Sequence, residues 1–387
     1  MISFRIILSD NFAKRDDYLK NRTNNQDRVF QYISVSVIPI FLVVSLLLGG
    51  IENSFEKVIY AGAIISNPKI FFDRIGNNEK SDSISEMANS ENIETEASAV
   101  VISPIPKDIQ KLMEQAEIKY ANSTQDGKIV EKDYSKQNAT AEFDGIYVRN
   151  TTLEHEIDIQ KNLNGKVYAN IDKNEPSVLI YHTHTTETYE LLDRDFYSKD
   201  RSSRSENSAE NMIRVGEEIC NVLENNGYIT IHDKTIYDKE YSGAYDRSCE
   251  NISKILKENP SIQVVLDIHR DAIYPKDGSR VKPVAEINGR KAAQIMIISG
   301  CEDGNVTDFP NWEKNLSFAV QLQNKIKNDN PQLVRPLMFC SRKYNMHLTP
   351  CSLLVEIGTD ANTLSEAVYS AELFARSLSE FLKEYEN

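Results

Sequence analysis

The chain has 387 residues, with 44 Lys+Arg against 58 Asp+Glu and a formal charge of −14. That length admits two or three domains of ~100–200 residues, and the acidic balance excludes a nucleic-acid-coating role, because phosphate binding needs a concentrated Lys/Arg surface. A hydrophobic share of 40% beside 26% charged residues excludes a multi-span membrane protein.

The apolar residues are unevenly spread. Residues 33–51, ISVSVIPIFLVVSLLLGGI, carry no charge. A membrane-crossing helix needs ~17–25 such residues, so one transmembrane helix is predicted there. Arg5, Lys14, Arg15, Lys20, Arg22 and Arg28 precede it, whereas Glu52, Glu56 and Lys57 follow. The positive-inside rule then makes 1–32 a cytoplasmic tail and puts everything from Glu52 outside the cell membrane. A cleaved signal peptide is the competing reading; the run exceeds the ~7–15 residues of its apolar region, and no small-x-small site follows cleanly. Residues 77–98 are polar and acidic, too poor in large hydrophobes to offset the entropy of ordering, and read as a flexible tether. The whole of 52–176 is expected to be an extracytoplasmic tether and variable region, with a short helix at 107–120 and short strands within 134–152.

From Ser177 the pattern turns to apolar strands alternating with amphipathic helices. Strands are predicted at 177–184, 229–233, 262–270, 292–300 and 351–359; helices at 210–228, 245–260, 312–328 and from Leu364 to about Tyr385. Repeated βα units of this length predict an α/β domain over 177–387, a mostly parallel sheet with helices on both faces. Five cysteines, Cys220, Cys249, Cys301, Cys340 and Cys351, form no CxxC pair, which excludes a zinc knuckle or a dense disulfide scaffold.

Three predicted strands end in ionisable residues where an apolar continuation would be expected. The first runs into His182, His184 and Glu187. Another ends in Asp267, His269, Arg270 and Asp271, and the last carries Glu356. A buried carboxylate or imidazole costs several kcal/mol unless paired or metal-bound. In a parallel sheet these ends meet at one edge, where ligands bind. Two imidazoles and a carboxylate with an open position form a catalytic zinc set. His182 or His184, Glu187 and His269 are the candidate ligands of Zn2+, and Glu356 is the candidate general base. Singly, each residue has a plain structural reading: a hydrogen-bonded histidine, or a carboxylate paired with Arg270. His155, His232 and His347 lack such surroundings and read as structural.

The segments YHTHTTETY (181–189), NMIRVGEEI (211–219), LDIHRDA (266–272) and LLVEIGTDANTLSEA (353–367) resemble the stage II sporulation protein P family of endospore-forming bacteria. The resemblance covers residues 177 to the C-terminus. It implies an amidase-like fold and a zinc-dependent peptidoglycan hydrolase related to the N-acetylmuramoyl-L-alanine amidases, with cleavage of peptide cross-links also credited to the family. It implies a place between the mother-cell and forespore membranes during engulfment, and stage II sporulation proteins D and M as partners. On that pattern His269 and Glu356 map directly as second histidine and catalytic glutamate. His184 is preferred to His182 as first ligand, and Glu187 to Glu206 or Glu210 as the carboxylate. His182 and Arg270 then support the ligands or contact substrate. A non-catalytic wall-binding assembly protein and a zinc carboxypeptidase on the same fold are the rival functions.

Overall fold

The computed structural model describes residues 103–387, which belong to one compact unit. The expected tail, span and first part of the tether lie outside the described residues. Among the described residues, no helix is long and apolar enough to cross a membrane. In chain order the elements are α1 (Lys107–Lys119), β1 (Gly127–Lys132), β2 (Ala141–Phe143), β3 (Ile146–Asn150), α2 (Ile159–Leu163), β4 (Pro176–Tyr181), β5 (Phe196–Tyr197) and α3 (Met212–Asn225). Then come β6 (Ile229–His232), α4 (Ala244–Glu258), β7 (Val264–Asp271), β8 (Arg280–Ile287), β9 (Arg290–Ala293) and β10 (Ile295–Gly300). The chain closes with α5 (Trp312–Asp329), β11 (Leu337–Cys340), β12 (Ser352–Thr359) and α6 (Leu364–Leu382).

The main sheet has eight strands in the order β2-β3-β11-β10-β12-β7-β4-β6, and a smaller one has the order β5-β1-β8-β9. In the main sheet only β2–β3 and β10–β12 pair antiparallel. Both faces carry helices, unequally. Val264, Leu266 and Ile268 of β7, Val355 and Ile357 of β12, and Val178 and Ile180 of β4 point into one large core with α3, α5 and α6. The alternate residues Leu179, Tyr181 and Val265 pack in a small cluster with Ile252 of α4 and Ile262. Because strand side chains alternate with period 2, Asp267, His269 and Asp271 of β7 and Glu356 of β12 fall on this second, thinly covered face, while Arg270 points to the other. Buried phenylalanines such as Phe318 and Phe374, 0% exposed, each contribute ~1.5–3 kcal/mol to the covered side. Helix α6 starts where Thr363 and Glu366 close a reciprocal capping box at 3.0 and 3.1 Å, which satisfies two otherwise orphaned N–H groups.

Two expectations need correcting. The segment drawn as tether and variable region up to residue 176 supplies α1, α2 and two strands of the main sheet from residue 107 onward, so the folded unit begins well before 177. The strand read over 292–300 is interrupted at Gln294. That side chain is fully buried and ties together Asp133, Ser135 and the Gln332 carbonyl at 2.8–2.9 Å while accepting from the Tyr134 amide at 2.7 Å. The break lets β9 turn back on β8, across Asn288 and Gly289, both at positive φ, the geometry that an Asn-Gly hairpin turn supplies.

Candidate active site

Parallel pairing sets the site. Glu356 of β12 stands in register with His269 of β7, and Leu354 with Asp267, while Asp267 also faces Tyr181 of β4. Beyond Glu356 the β12–β7 register shifts, and Gly358 sits at φ +65°. A Cβ there would lie 2.6 Å from Asn362 Oδ1 and 2.7 Å from Ala293 Cβ. A bulge that only glycine can make thus ends the ladder immediately beyond the glutamate.

The loop after β4 is held by its threonines. Thr183 donates from its amide and hydroxyl to the two oxygens of Asp267, at 2.8 and 2.7 Å. Thr185 donates to the Thr235 carbonyl at 2.8 Å, Thr186 to Asp238 at 2.7 Å, and Thr188 to the Ser202 carbonyl at 3.1 Å. Tyr189 donates to the Ile357 carbonyl at 2.8 Å, fastening the loop to β12 beside Glu356. So anchored, the loop presents His184 and Glu187 to His269. The His184 and His269 rings meet edge to face at 5.3 Å, and Glu187 Oε2 lies 3.8 Å from His269 Nδ1. On its other side His269 Nε2 is 2.8 Å from Asp267 Oδ1, off the line of a good hydrogen bond.

Burial and charge set the protonation states. Burial, with help from His269 and Arg204, pushes the His184 imidazole down to about 4, so it is neutral at pH 7. Burial also opposes a charged His269, but Asp267, Glu356 and Glu187 outweigh it and hold this histidine at about 9. Burial raises the Glu187 carboxyl, only partly offset by Arg270, His269 and Arg204. Burial, reinforced by Asp271 and Glu187, lifts Glu356 to about 8. Three buried atoms, His184 Nδ1, Glu187 Oε2 and Glu356 Oε2, have no hydrogen-bond partner, and His269 turns its Nδ1 toward Glu187. Orphans of this kind cost ~1–3 kcal/mol each, more when charged. A cation among them would relieve both penalties, so the residues present fit a zinc ion: imidazole and carboxylate donors beside a free carboxylate.

The other sequence candidates lie elsewhere. His182 turns away from His184 toward α3, donating from Nδ1 to the Ile268 carbonyl and meeting His232 Nε2, each at 2.9 Å. Both its nitrogens are used, and Gly216 of α3 leaves room for them, since a Cβ there would lie 2.5 Å from His182 Nε2. His182 therefore acts on the site only through the backbone preceding His269. Arg270 donates to the Ser203 carbonyl at 2.9 Å and braces the loop that carries Arg204. Arg204 in turn pairs with Asp238 and approaches Glu187 at 3.4 Å. Glu206 and Glu210 are engaged outside the site, with Lys239 and Arg201 respectively, each at 3.3 Å.

Sequence reasoning missed an aromatic wall. Tyr241 stacks on His184 at 4.7 Å, Tyr245 meets it edge-on at 5.5 Å and lies parallel to His269, and Tyr344 packs on Tyr245 at 5.2 Å. Tyr344 and Asn345 both adopt positive φ, a strain that a bulky residue tolerates only where its surroundings fix it. The Asn345 side chain supplies that hold by donating to Ser248 Oγ at 2.9 Å. Another acidic group, Glu131, Asp193 and Glu366, has the spacing of a metal site. The Lys282 ammonium already fills it, at 2.6–2.9 Å from all three.

Comparison with known proteins gives the family. The family described as Stage II sporulation protein P matches residues 66–379. The curated Stage II sporulation protein P of Bacillus subtilis (strain 168) is 29% identical over 215 residues, 52% of this chain and 50% of that protein. The match thus spans half the length of the curated relative. Among solved structures, the N-acetylmuramoyl-L-alanine amidase AmiC2 of Nostoc punctiforme is similar at 14% identity and a TM-score of 0.34, over 55% of this chain and 99% of that one. The CwlD amidase of Clostridioides difficile, solved with the GerS lipoprotein, is similar at 14% identity and a TM-score of 0.33, over 54% and 98%.

Proposed function

The chain belongs to the stage II sporulation protein P family, and from that premise we propose that it is a zinc-dependent peptidoglycan hydrolase of sporulation. The bond it cuts is the N-acetylmuramoyl-L-alanine amide, with peptide cross-links as the alternative target of the same chemistry. The observation that carries this reading is the meeting of His184, Glu187, His269 and Glu356, in which His184, Glu187 and Glu356 each have a buried polar atom that nothing in the protein satisfies and His269 presents Nδ1 toward Glu187. His184, Glu187 and His269 would hold the zinc, which when bound polarises a carbonyl and acidifies water.

The remaining work falls to side chains of this chain. Glu356 accepts a proton from the attacking water at Oε2 and returns it to the leaving nitrogen. Its elevated proton affinity, about 8 before any metal binds, suits a group that must hold a proton between those two steps. Asp267, fixed by Thr183, orients the His269 ring so that Nδ1 is turned toward Glu187. Tyr241 and Tyr245 shield the imidazoles from water and offer flat apolar surfaces to a substrate. Residues 33–51 would anchor the enzyme by a single pass, with the described domain outside the membrane in the space between mother cell and forespore. Stage II sporulation proteins D and M would be its partners there.

The test is digestion of purified cell wall followed by mass spectrometry of the fragments. Amidase action releases peptides beginning with L-alanine and leaves intact glycan; endopeptidase action releases split cross-links. His269→Ala and Glu356→Gln proteins should solubilise no wall. Undiminished release by either would overturn the assignment.

A further inference from the structure

A cavity of about 280 Å3 opens beside the catalytic glutamate, walled by Tyr134, Arg149, Asp271, Met296 and Arg335. Two of its residues locate it. Met296 is the cross-strand partner of Glu356, and Asp271 follows His269 by two residues on β7, hence on the same face of the sheet. Neither the zinc set nor the proposed acid–base chemistry uses this space.

Its polar lining is basic. Arg335 is only 6% exposed, with its guanidinium lying 5.6 Å from the Tyr134 ring centre. Its Nη2 donates to Asp271 Oδ2 at 2.8 Å, but Nη1 is buried with no partner. Arg149, on β3, is half-buried and has no ion pair among the described residues. Asp271 balances one of the two guanidiniums, leaving one positive charge and a buried, unused donor facing a void. A planar guanidinium fork matches a carboxylate in both charge and spacing. A neutral sugar would leave the charge unbalanced, and a cation would be repelled.

Resting on the hydrolase reading above, we propose that this cavity is a carboxylate-binding subsite in which Arg149 and Arg335 hold a free carboxylate of the substrate's peptide. The enzyme would then measure the distance from the scissile amide to an acidic group, and would discriminate against peptides whose carboxylates are amidated.

The experiment compares two soluble glycan–peptide substrates that differ only in whether the peptide carboxylates are free or amidated, using the full chain in detergent. The wild type should favour the free acid by about tenfold or more in kcat/KM, and Arg149→Gln should bring that ratio to within about threefold of unity. Arg335→Gln would also strip Asp271 of its buried partner, so the half-buried Arg149 is the deciding variant, with its melting temperature checked against the wild type. A wild type without preference, or an unchanged ratio in Arg149→Gln, overturns the subsite. Calorimetric titration of the Glu356→Gln chain with the free-acid and amidated peptides separates this failure from failure of the hydrolase reading. Binding of the acid that weakens about tenfold with the added Arg149→Gln change supports the subsite even if no wall is cut. Equal binding of acid and amide sinks it.

Discussion

Lys282 offers the sharpest test of how the domain is held together. Its side chain is 1% exposed on β8, and its ammonium lies 2.6 Å from Asp193, 2.9 Å from Glu131 and 2.9 Å from Glu366. Burial works against its charge, but Glu366, Asp193 and Glu131 hold its proton more firmly than an ordinary lysine's. Replacement by methionine keeps the volume and removes the charge. The three acids then fare differently. Glu131 and Asp193 are each nearly half exposed and keep Lys291 at 2.6 and 2.9 Å, so they rehydrate readily. Glu366 is 4% exposed; its Oε2 retains the bonds from Asn362 and the Thr363 amide, but Oε1 loses its partner. Stranding a buried charge costs ~3–5 kcal/mol. Because only one of the three acids is stranded, the low end applies, about 3 kcal/mol, or a fall of about 5 °C in melting temperature for a folded unit of about 285 residues. Thermal unfolding followed by circular dichroism reads this directly. Adding Glu366→Gln to Lys282→Met should recover part of the loss, since the stranded charge is then gone. A loss under ~1 kcal/mol, or a stabilising divalent ion bound by Lys282→Met and by the wild type alike, would refute the view that the ammonium is the cation of this cluster.

Further outcomes can be stated briefly. Glu356→Gln should lower wall hydrolysis by ~10²–10⁴-fold, the usual contribution of a general base, while zinc content measured by elemental analysis stays at the wild-type level. Zinc should raise the melting temperature of the wild type and leave that of His269→Ala unmoved, because binding stabilises only a native state that keeps its ligands. Gly216→Ala should destabilise by ~1–3 kcal/mol in spite of alanine's better helix propensity, since its Cβ would press into His182 and His232; equal or higher stability would count against that contact. Burial, with His182 and Lys234, pushes His232 down to about 2. Its unfolded form therefore binds a proton first as pH falls through 6.5, and stability drains away below that pH. His232→Asn should remove a loss approaching ~2 kcal/mol between pH 6.5 and 5, seen as a shallower pH dependence of denaturant midpoints than in the wild type.

Much of the site was legible because it breaks a pattern. In LLVEIGT and VVLDIHRD, Glu356, Asp267, His269 and Asp271 occupy alternate positions of strands whose other residues are mostly buried aliphatics, and such a violation needs a purpose. The same period-2 reading reaches Asp267, which shares a face with His269 and completes its surroundings. What sequence left open was the choice between His182 and His184. Both follow β4 within three residues, and only the course of the chain after Tyr181 sends one toward α3 and the other toward His269. The tyrosine wall gave no signal at all. Tyr241 belongs to an ordinary polar stretch ahead of α4 and Tyr245 to that helix's first turn, and Tyr344 lies about a hundred residues away on a turn whose positive φ no composition reveals.

The early strands were expected as short strands, but their place in the main sheet was not. Strand β2 is 3 residues long and largely exposed, and β3 is 5 residues long and buries only Ile146 and Val148, so neither announces a place in a central sheet. Their place in the sheet comes from β11, itself only 4 residues, which pairs with β3 in parallel. The consequence reaches the site. Arg149 belongs to β3, and Tyr134 precedes β2, so the cavity beside Glu356 is closed by short strands that sequence placed in a variable region outside the hydrolase domain. A truncation beginning at residue 177 would keep every proposed zinc ligand and the general base. It would lose one wall of the adjoining cavity and the edge of the sheet beyond β11. Such a fragment should therefore be impaired in recognising substrate and in stability for reasons unrelated to the metal, and its inactivity could not be counted against the zinc assignment.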